Sequence, residues 1–296
     1  MLSNSRFLVI DAPSILGLKP TGVEKLPEAL KAAGLLAALD AQFVGRIQPL
    51  DPYNPVRDKS TRLLNGSAIK AFSLQLAKSM AEIVRRDNFI IVLGGDCSII
   101  IGTLLALRRL GRYGLFFIDG HADFYQPEAS VSGEVADMDL AIISGRGPDI
   151  LTNINGLKPY VRDEDIVVFG YRDAEQAASY GSQDVTDTNI HVYDLSRVNE
   201  LGITNASSLA TRKLLVNGID GFWIHLDADV LDDSIMPAVD YRLKGGLSFS
   251  EISDLLRILY SSGQAVGMSI SIFNPSFDSG GSIARKFVSS IVKGLS

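Results

Sequence analysis

Apolar residues along the chain fall into two alternating patterns. Short, nearly continuous runs rich in Val, Ile and Phe occur at 6–12 (RFLVIDA), 89–96 (FIIVLGGD), 114–123 (GLFFIDGHAD), 165–173 (DIVVFGYRD), 190–196 (IHVYDLS), 221–230 (GFWIHLDADV) and 265–273 (AVGMSISIF). Their density of β-branched and aromatic residues predicts strands buried on both faces. Between them, stretches such as 67–87 (SAIKAFSLQLAKSMAEIVRRD), 97–111 (CSIIIGTLLALRRLG) and 248–263 (SFSEISDLLRILYSSG) carry the spacing of amphipathic helices. Strands alternating with helices predict crossover units, hence a mostly parallel central sheet between two helical layers, a three-layer α/β/α sandwich. No linker, repeat or composition break interrupts the pattern, so one domain over 1–296 is expected. The least regular segment, 125–156, is rich in Gly, Asp and Ser and reads as loops over the sheet edge.

Composition narrows the class. The 296 residues are 46% hydrophobic and 21% charged, with a formal net charge of −6. That balance is ordinary for a globular protein. It argues against nucleic acid as the partner, because duplex binding rests on neutralising phosphates. No stretch reaches the roughly 18 apolar residues that a membrane helix needs. The single cysteine, Cys97, allows no internal disulfide and favours a reducing compartment. A cytoplasmic enzyme acting on a small molecule is expected.

Polar residues gather at the carboxyl ends of the predicted strands: Gly95, Asp96 and Cys97; Asp119, His121 and Asp123; Arg172 and Asp173; Asp227 and Asp229. Ligands of open parallel sheets bind there. Alternation along an extended chain puts Asp119, His121 and Asp123 on one side, and likewise His225, Asp227 and Asp229. Such convergent carboxylates repel one another unless a multivalent cation neutralises them. Either motif alone also suits helix caps or salt bridges. Together, carboxylate and imidazole point to first-row divalent ions. The turn GGDCS at 94–98 lacks the Gly-Lys-Ser/Thr of a phosphate loop.

The motifs GGDCS, DGHAD and HLDADVLDDSIMPAVDYRLKGG, in that order, resemble the arginase, agmatinase and formiminoglutamase family. The resemblance spans residues 89–275. It implies a dinuclear Mn²⁺ hydrolase on a three-layer sheet, commonly assembled as a homo-oligomer. Asp119 and Asp227 would bridge the ions, His121 and Asp229 would complete one position, and Asp123 and Cys97 the other. A water activated by the ions would attack the planar carbon of an amidino-type group, and Asp123 would pass a proton to the leaving amine. His121 and Asp123 are thus the expected catalytic residues.

Three departures qualify the resemblance. Cys97 stands where the family has a histidine. A thiolate suits Zn²⁺ or Fe²⁺ better than Mn²⁺, so one ion instead of two, or a different metal, are alternatives. The same cysteine resembles the N-hydroxyarginine hydrolase branch of the family, and a position at a helix N-terminus near a cation would lower its pKa. Ile272 occupies the place of the guanidinium-binding glutamate in SISIFNP. In GEVADMD, Ala136 falls where a proton-shuttling histidine would be, and Glu134 replaces a substrate-contacting asparagine. Glu175, in GYRDAE, is a further substrate-contact candidate, or else a partner for a nearby arginine. His225 reads as a group beneath the ligands that orients a carboxylate, and His191 as structural. Two other readings stay open: a thiol-dependent amidino hydrolase with Cys97 as nucleophile, and a silent binding protein with a structural metal.

Overall fold

In the computed structural model, residues 6–85, 87–216 and 218–296 are described. Position 86, within the expected helical stretch 67–87, lies outside the described residues. Eight strands form one sheet: β1 Phe7–Asp11, β2 Gln42–Arg46, β3 Phe89–Leu93, β4 Tyr113–Ile118, β5 Ile166–Phe169, β6 His191–Tyr193, β7 Gly221–Asp227 and β8 Ala265–Ser271. Their order is β2-β1-β3-β8-β7-β4-β5-β6, and every neighbouring pair is parallel.

Alternation along the strands builds the two faces. Val9, Ile91, Phe116, Ile118, Val167, Ile224 and Met268 join one buried cluster with residues of helices Leu26–Ala32, Ile203–Leu215, Phe249–Ser261 and Ser282–Gly294. Ile10, Ile90, Val92, Leu115, Phe117, Val168 and Trp223 join the other, with helices Gly66–Ile83 and Ile99–Leu110. The sheet is therefore the middle of three layers, the α/β/α sandwich that its apolar runs imply.

Three elements escape the apolar pattern. Strand β2 lies at the sheet edge with no fully buried residue, and Phe43 is 44% exposed. An edge strand shields little surface, so it leaves no apolar run to find. Within 125–156, helices Asp139–Ile143 and Asp149–Thr152 replace the expected unbroken loop.

The chain crosses from β3 to β4 over the two strands that later fill the gap, β8 and β7. The carboxyl ends of these four central strands face a common crevice, the usual ligand position in such sheets.

Candidate metal centre

The site begins with register. Ile118 of β4 pairs with Leu226 of β7, so the next residues, Asp119 and Asp227, leave adjacent strands at one level. Asp227 is paired in turn with Ser271 of β8. Beyond Asp119 the chain turns tightly: the His121 amide donates to Asp119 Oδ1 at 2.7 Å and the Gly120 amide to Asp229 Oδ1 at 3.1 Å. A Cβ on Gly120 would lie 2.7 Å from the Asp229 carbonyl oxygen, so any side chain there would require its neighbours to shift. The matching turn after β7 is closed by the Asp229 amide, donating to Asp227 Oδ1 at 2.7 Å.

Arg172 holds this second turn in place. Its guanidinium donates to the carbonyls of Asp229, Val230, Leu231, Leu243 and Lys244 at 2.9–3.4 Å. The following residue, Asp173, accepts from the Ala122 amide at 3.0 Å and so fixes the first turn. The GYRD segment is thus a brace for both acidic turns. Asp96 serves the third, accepting from the amides of Ser98 at 2.9 Å and Gly17 at 3.1 Å.

Asp119, His121, Asp123, Asp227, Asp229 and Cys97 converge. Donor atoms of Asp119, His121 and Asp229 lie within 4.8 Å of one another, as do those of Cys97, Asp119, His225 and Asp227. Asp119 Oδ2 is buried without a hydrogen-bond partner. Buried carboxylates ordinarily find partners, so a free oxygen crowded by Asp123, Asp227 and Asp229 fits a divalent cation. Burial, and then repulsion by neighbouring acids (Asp123, Asp227 and Asp229 on Asp119; Asp139, Asp227 and Asp229 on Asp123), pushes the pKa of Asp119 and Asp123 well up. Asp227 is pushed up likewise by burial and by Asp229. His121 and Asp229 form a pair, with Nδ1 to Oδ2 at 2.9 Å. Burial disfavours both charges, but their attraction outweighs it, raising His121 and lowering Asp229. The donor set of carboxylates with one imidazole suits Mn²⁺, Fe²⁺ or Zn²⁺.

Cys97 lies just before the Ile99–Leu110 helix and donates to Asp227 Oδ2 at 2.8 Å. Burial, followed by Asp227, Asp139, Asp119 and Asp123, pushes its thiol well up. Among the protein's own charges the helix terminus therefore does not prevail; the expected lowering depends on a bound cation. The buried imidazole of His225 stacks on Phe117 and bonds Ser269 Oγ at 2.8 Å through Nδ1 and Ser271 Oγ at 3.3 Å through Nε2. Ser271 Oγ is 3.1 Å from Cys97 Sγ, so the imidazole supports the thiol from below.

A cavity of about 270 Å³ opens above the acids. Its walls include Cys97, His121, Asp123, Glu134, Ala136, Tyr241 and Ile272. Ile272 has φ +68°, a strained value for a β-branched residue. Its amide donates to the Gly95 carbonyl at 2.8 Å, which ties this turn to the one bearing Cys97. Glu134 accepts from Tyr241 Oη at 2.7 Å and lies 3.4 Å from Lys19 Nζ. Glu175 is a correction: it is exposed on helix Ala174–Ser179 and is not part of the wall, where Gln176 and Tyr180 stand instead. On a short exposed helix the neighbouring position faces the cavity, a choice that motif spacing does not reveal.

Motif spacing does not single out Lys19, Tyr241 or Asp139. For Asp139 a signal exists only in that GEVADMDLA carries acids on both sides of Met138. His191 begins β6 near the sheet edge, away from the site.

A model of the arginase family matches residues 6–295. The chain belongs to the arginase family. It is 31% identical over 288 residues to an arginase of Staphylococcus aureus (strain MSSA476), covering 95% of this chain and 94% of that protein. The native arginase structure from Bacillus caldovelox superposes with a TM-score of 0.88 at 29% identity, covering 98% of each chain. Proclavaminate amidino hydrolase from Streptomyces clavuligerus shares the fold, with a TM-score of 0.69 at 18% identity over 99% of this chain and 92% of that one. Arginase-family chains are hydrolases of small guanidino or amidino molecules. Among the described residues, no helix is long and apolar enough to cross a membrane.

Proposed function

We propose that this chain is a metal-dependent hydrolase that cleaves a non-peptide C–N bond in an amidino- or guanidino-type substrate other than arginine or agmatine. The observation that carries the reading is the convergence of five acidic or imidazole donors, one oxygen unpartnered, at the floor of a cavity. Bound divalent ions would neutralise the acids and lower the pKa of water.

The chain's own groups do the rest. Asp119 and Asp227, level on adjacent strands, would hold ions on both sides; His121 with Asp229 would serve one position, and Asp123 with Cys97 the other. Asp123 reaches the cavity wall and is 7% exposed. It would take a proton from the attacking water as the C–O bond forms, and give it to the departing nitrogen as the C–N bond breaks. The exclusion of arginine rests on Ile272. A buried guanidinium needs a hydrogen-bonding anion, and an aliphatic wall supplies none. Glu134 is already matched by Lys19 and Tyr241. The substrate is then neutral or weakly basic at the scissile carbon. A cytoplasmic homo-oligomer belongs to the same proposal, on the family resemblance.

Ile272 and Ala136 also favour a second reading, a silent binding protein with a structural metal. Assay of Mn²⁺- and Zn²⁺-loaded protein against arginine, agmatine, guanidinobutyrate and formimidoyl compounds separates the two. Release of urea, formamide or amine from a non-arginine compound supports the hydrolase. Turnover of arginine at a rate ordinary for the family overturns the exclusion, and silence toward every compound favours the binding protein.

A further inference from the structure

Asp139 opens the helix Asp139–Ile143, and its side chain is fully buried. Neither carboxylate oxygen makes a hydrogen bond of ordinary geometry. The nearby Leu140 amide gives weak support, and the charges acting on the group, Asp96 and Asp137, are negative. A buried carboxylate in that state costs several kcal/mol unless a cation reaches it. A donor atom of Asp139 lies within 4.8 Å of donors on Cys97 and Asp123. Two donors each about 2.0–2.3 Å from a shared ion stand at most about 4.6 Å apart, so small side-chain adjustments close the set around one ion.

The placement follows from the chain. Ala141 donates its amide to the Asp123 carbonyl at 3.4 Å, which docks the short helix against the turn bearing Asp123. The Ala136 amide donates to the Gly17 carbonyl at 3.0 Å and anchors the other end of the segment. Asp139 is thereby brought to the position that Cys97 and Asp123 share.

We propose that Asp139 is a ligand of the second metal position, completing it together with Cys97 and Asp123. This rests on the metal-dependent reading above. Cys97 supplies a soft sulfur, and Asp139 adds a hard oxygen that Mn²⁺ and Fe²⁺ favour. The cysteine at 97 and the acid at 139 are then two halves of one coordination sphere. Asp139 also offers a charge that offsets an ion without help from the substrate.

The test uses Asp139→Asn, which keeps shape and removes charge. Equilibrium dialysis against Mn²⁺, with metal analysis and electron paramagnetic resonance, gives stoichiometry and affinity for wild type and variant; circular dichroism and melting of the chelated proteins report folding. We expect one of two Mn²⁺ ions to bind at least roughly ten- to hundredfold more weakly, the range seen for groups that merely support a ligand. The first ion should be unaffected, and the chelated variant should melt no lower than chelated wild type, because a lone buried charge has gone. A merely structural carboxylate would lower the melting point of the chelated variant and leave both affinities alone. In a Cys97→His background the loss on Asp139→Asn should shrink, since imidazole supplies a better donor and coupled residues are non-additive. Two Mn²⁺ bound by Asp139→Asn as tightly as by wild type overturns this inference alone. Wild type that binds no Mn²⁺, Zn²⁺ or Fe²⁺ overturns the metal-dependent reading and this inference with it.

Discussion

Cys97 Sγ sits 2.8 Å from Asp227 Oδ2 and donates a hydrogen bond to it. Without a bound cation, burial and four surrounding acids oppose a thiolate. A Cys97 nucleophile thus lacks the activation that thiol catalysis requires. In the same place, a metal ion would displace that proton and turn the thiol into a ligand.

Cys97→His should raise Mn²⁺ affinity at the second position, because imidazole suits that ion better than sulfur. Metal stoichiometry of the two forms under equal Mn²⁺ checks it. Equal, tight binding of two ions by wild type would show that Cys97 is not a weak point.

Stability should depend on metal. Asp119, Asp123 and Asp227 are crowded and buried, and ions that bind only the folded state stabilise it by mass action. At about a hundred times the dissociation constant that is roughly 2.7 kcal/mol, which for a chain of this size raises Tm by about 4 °C. Melting scans with chelator and with Mn²⁺ read the shift. Identical scans for protein shown to be metal-free at the start would defeat the expectation.

Acid sensitivity should carry a contribution from His225. Burial lowers its pKa to about 3 in the folded protein, against about 6.5 when unfolded. The unfolded chain therefore takes up a proton first as pH falls. The stabilisation from neutral His225 is full above about 6.5 and is lost progressively down to about 3, several kcal/mol in all. His225→Gln should flatten the fall of stability over that window, measured by urea unfolding at a series of pH values. Parallel wild-type and variant curves would refute the assignment.

Ile272→Glu should create or greatly enhance activity toward arginine or agmatine. A carboxylate there supplies the partner that a buried guanidinium lacks. Recovering about 3–4 kcal/mol of differential binding corresponds to roughly two to three orders of magnitude in kcat/KM. The same change should weaken any neutral substrate of the wild type. No gain toward either cation, in folded and metal-loaded variant, would mean that Ile272 does not face the scissile group.

Much of this molecule is written in local sequence. The runs FIIVL, YGLFFI and GFWIHLD are apolar on both sides, and only a parallel sheet covered by helices on both faces buries them. The order of residues places Asp119, Asp123, Asp227 and Asp229 at the ends of apolar strands. Tight turns, not the extended alternation expected, set their directions: Asp229 lies in a 3-10 turn and Asp123 has φ +44°. Strand β2 stays hidden in the sequence because an edge strand has no reason to be apolar on both faces. What tertiary structure decided is which acids meet. The pairing of Ile118 with Leu226 sets Asp119 beside Asp227, although three helical crossovers and two strands intervene along the chain. Asp139 is visible as a letter, but its unpartnered burial beside Cys97 arises only when helix Asp139–Ile143 docks on the turn of Asp123. Glu175 shows the converse: motif spacing favours it, yet a short exposed helix turns it to solvent and gives Gln176 the wall. That acids follow an apolar strand is a local property, legible in the order of residues; a coordination sphere is not, since it needs several segments to arrive at one point.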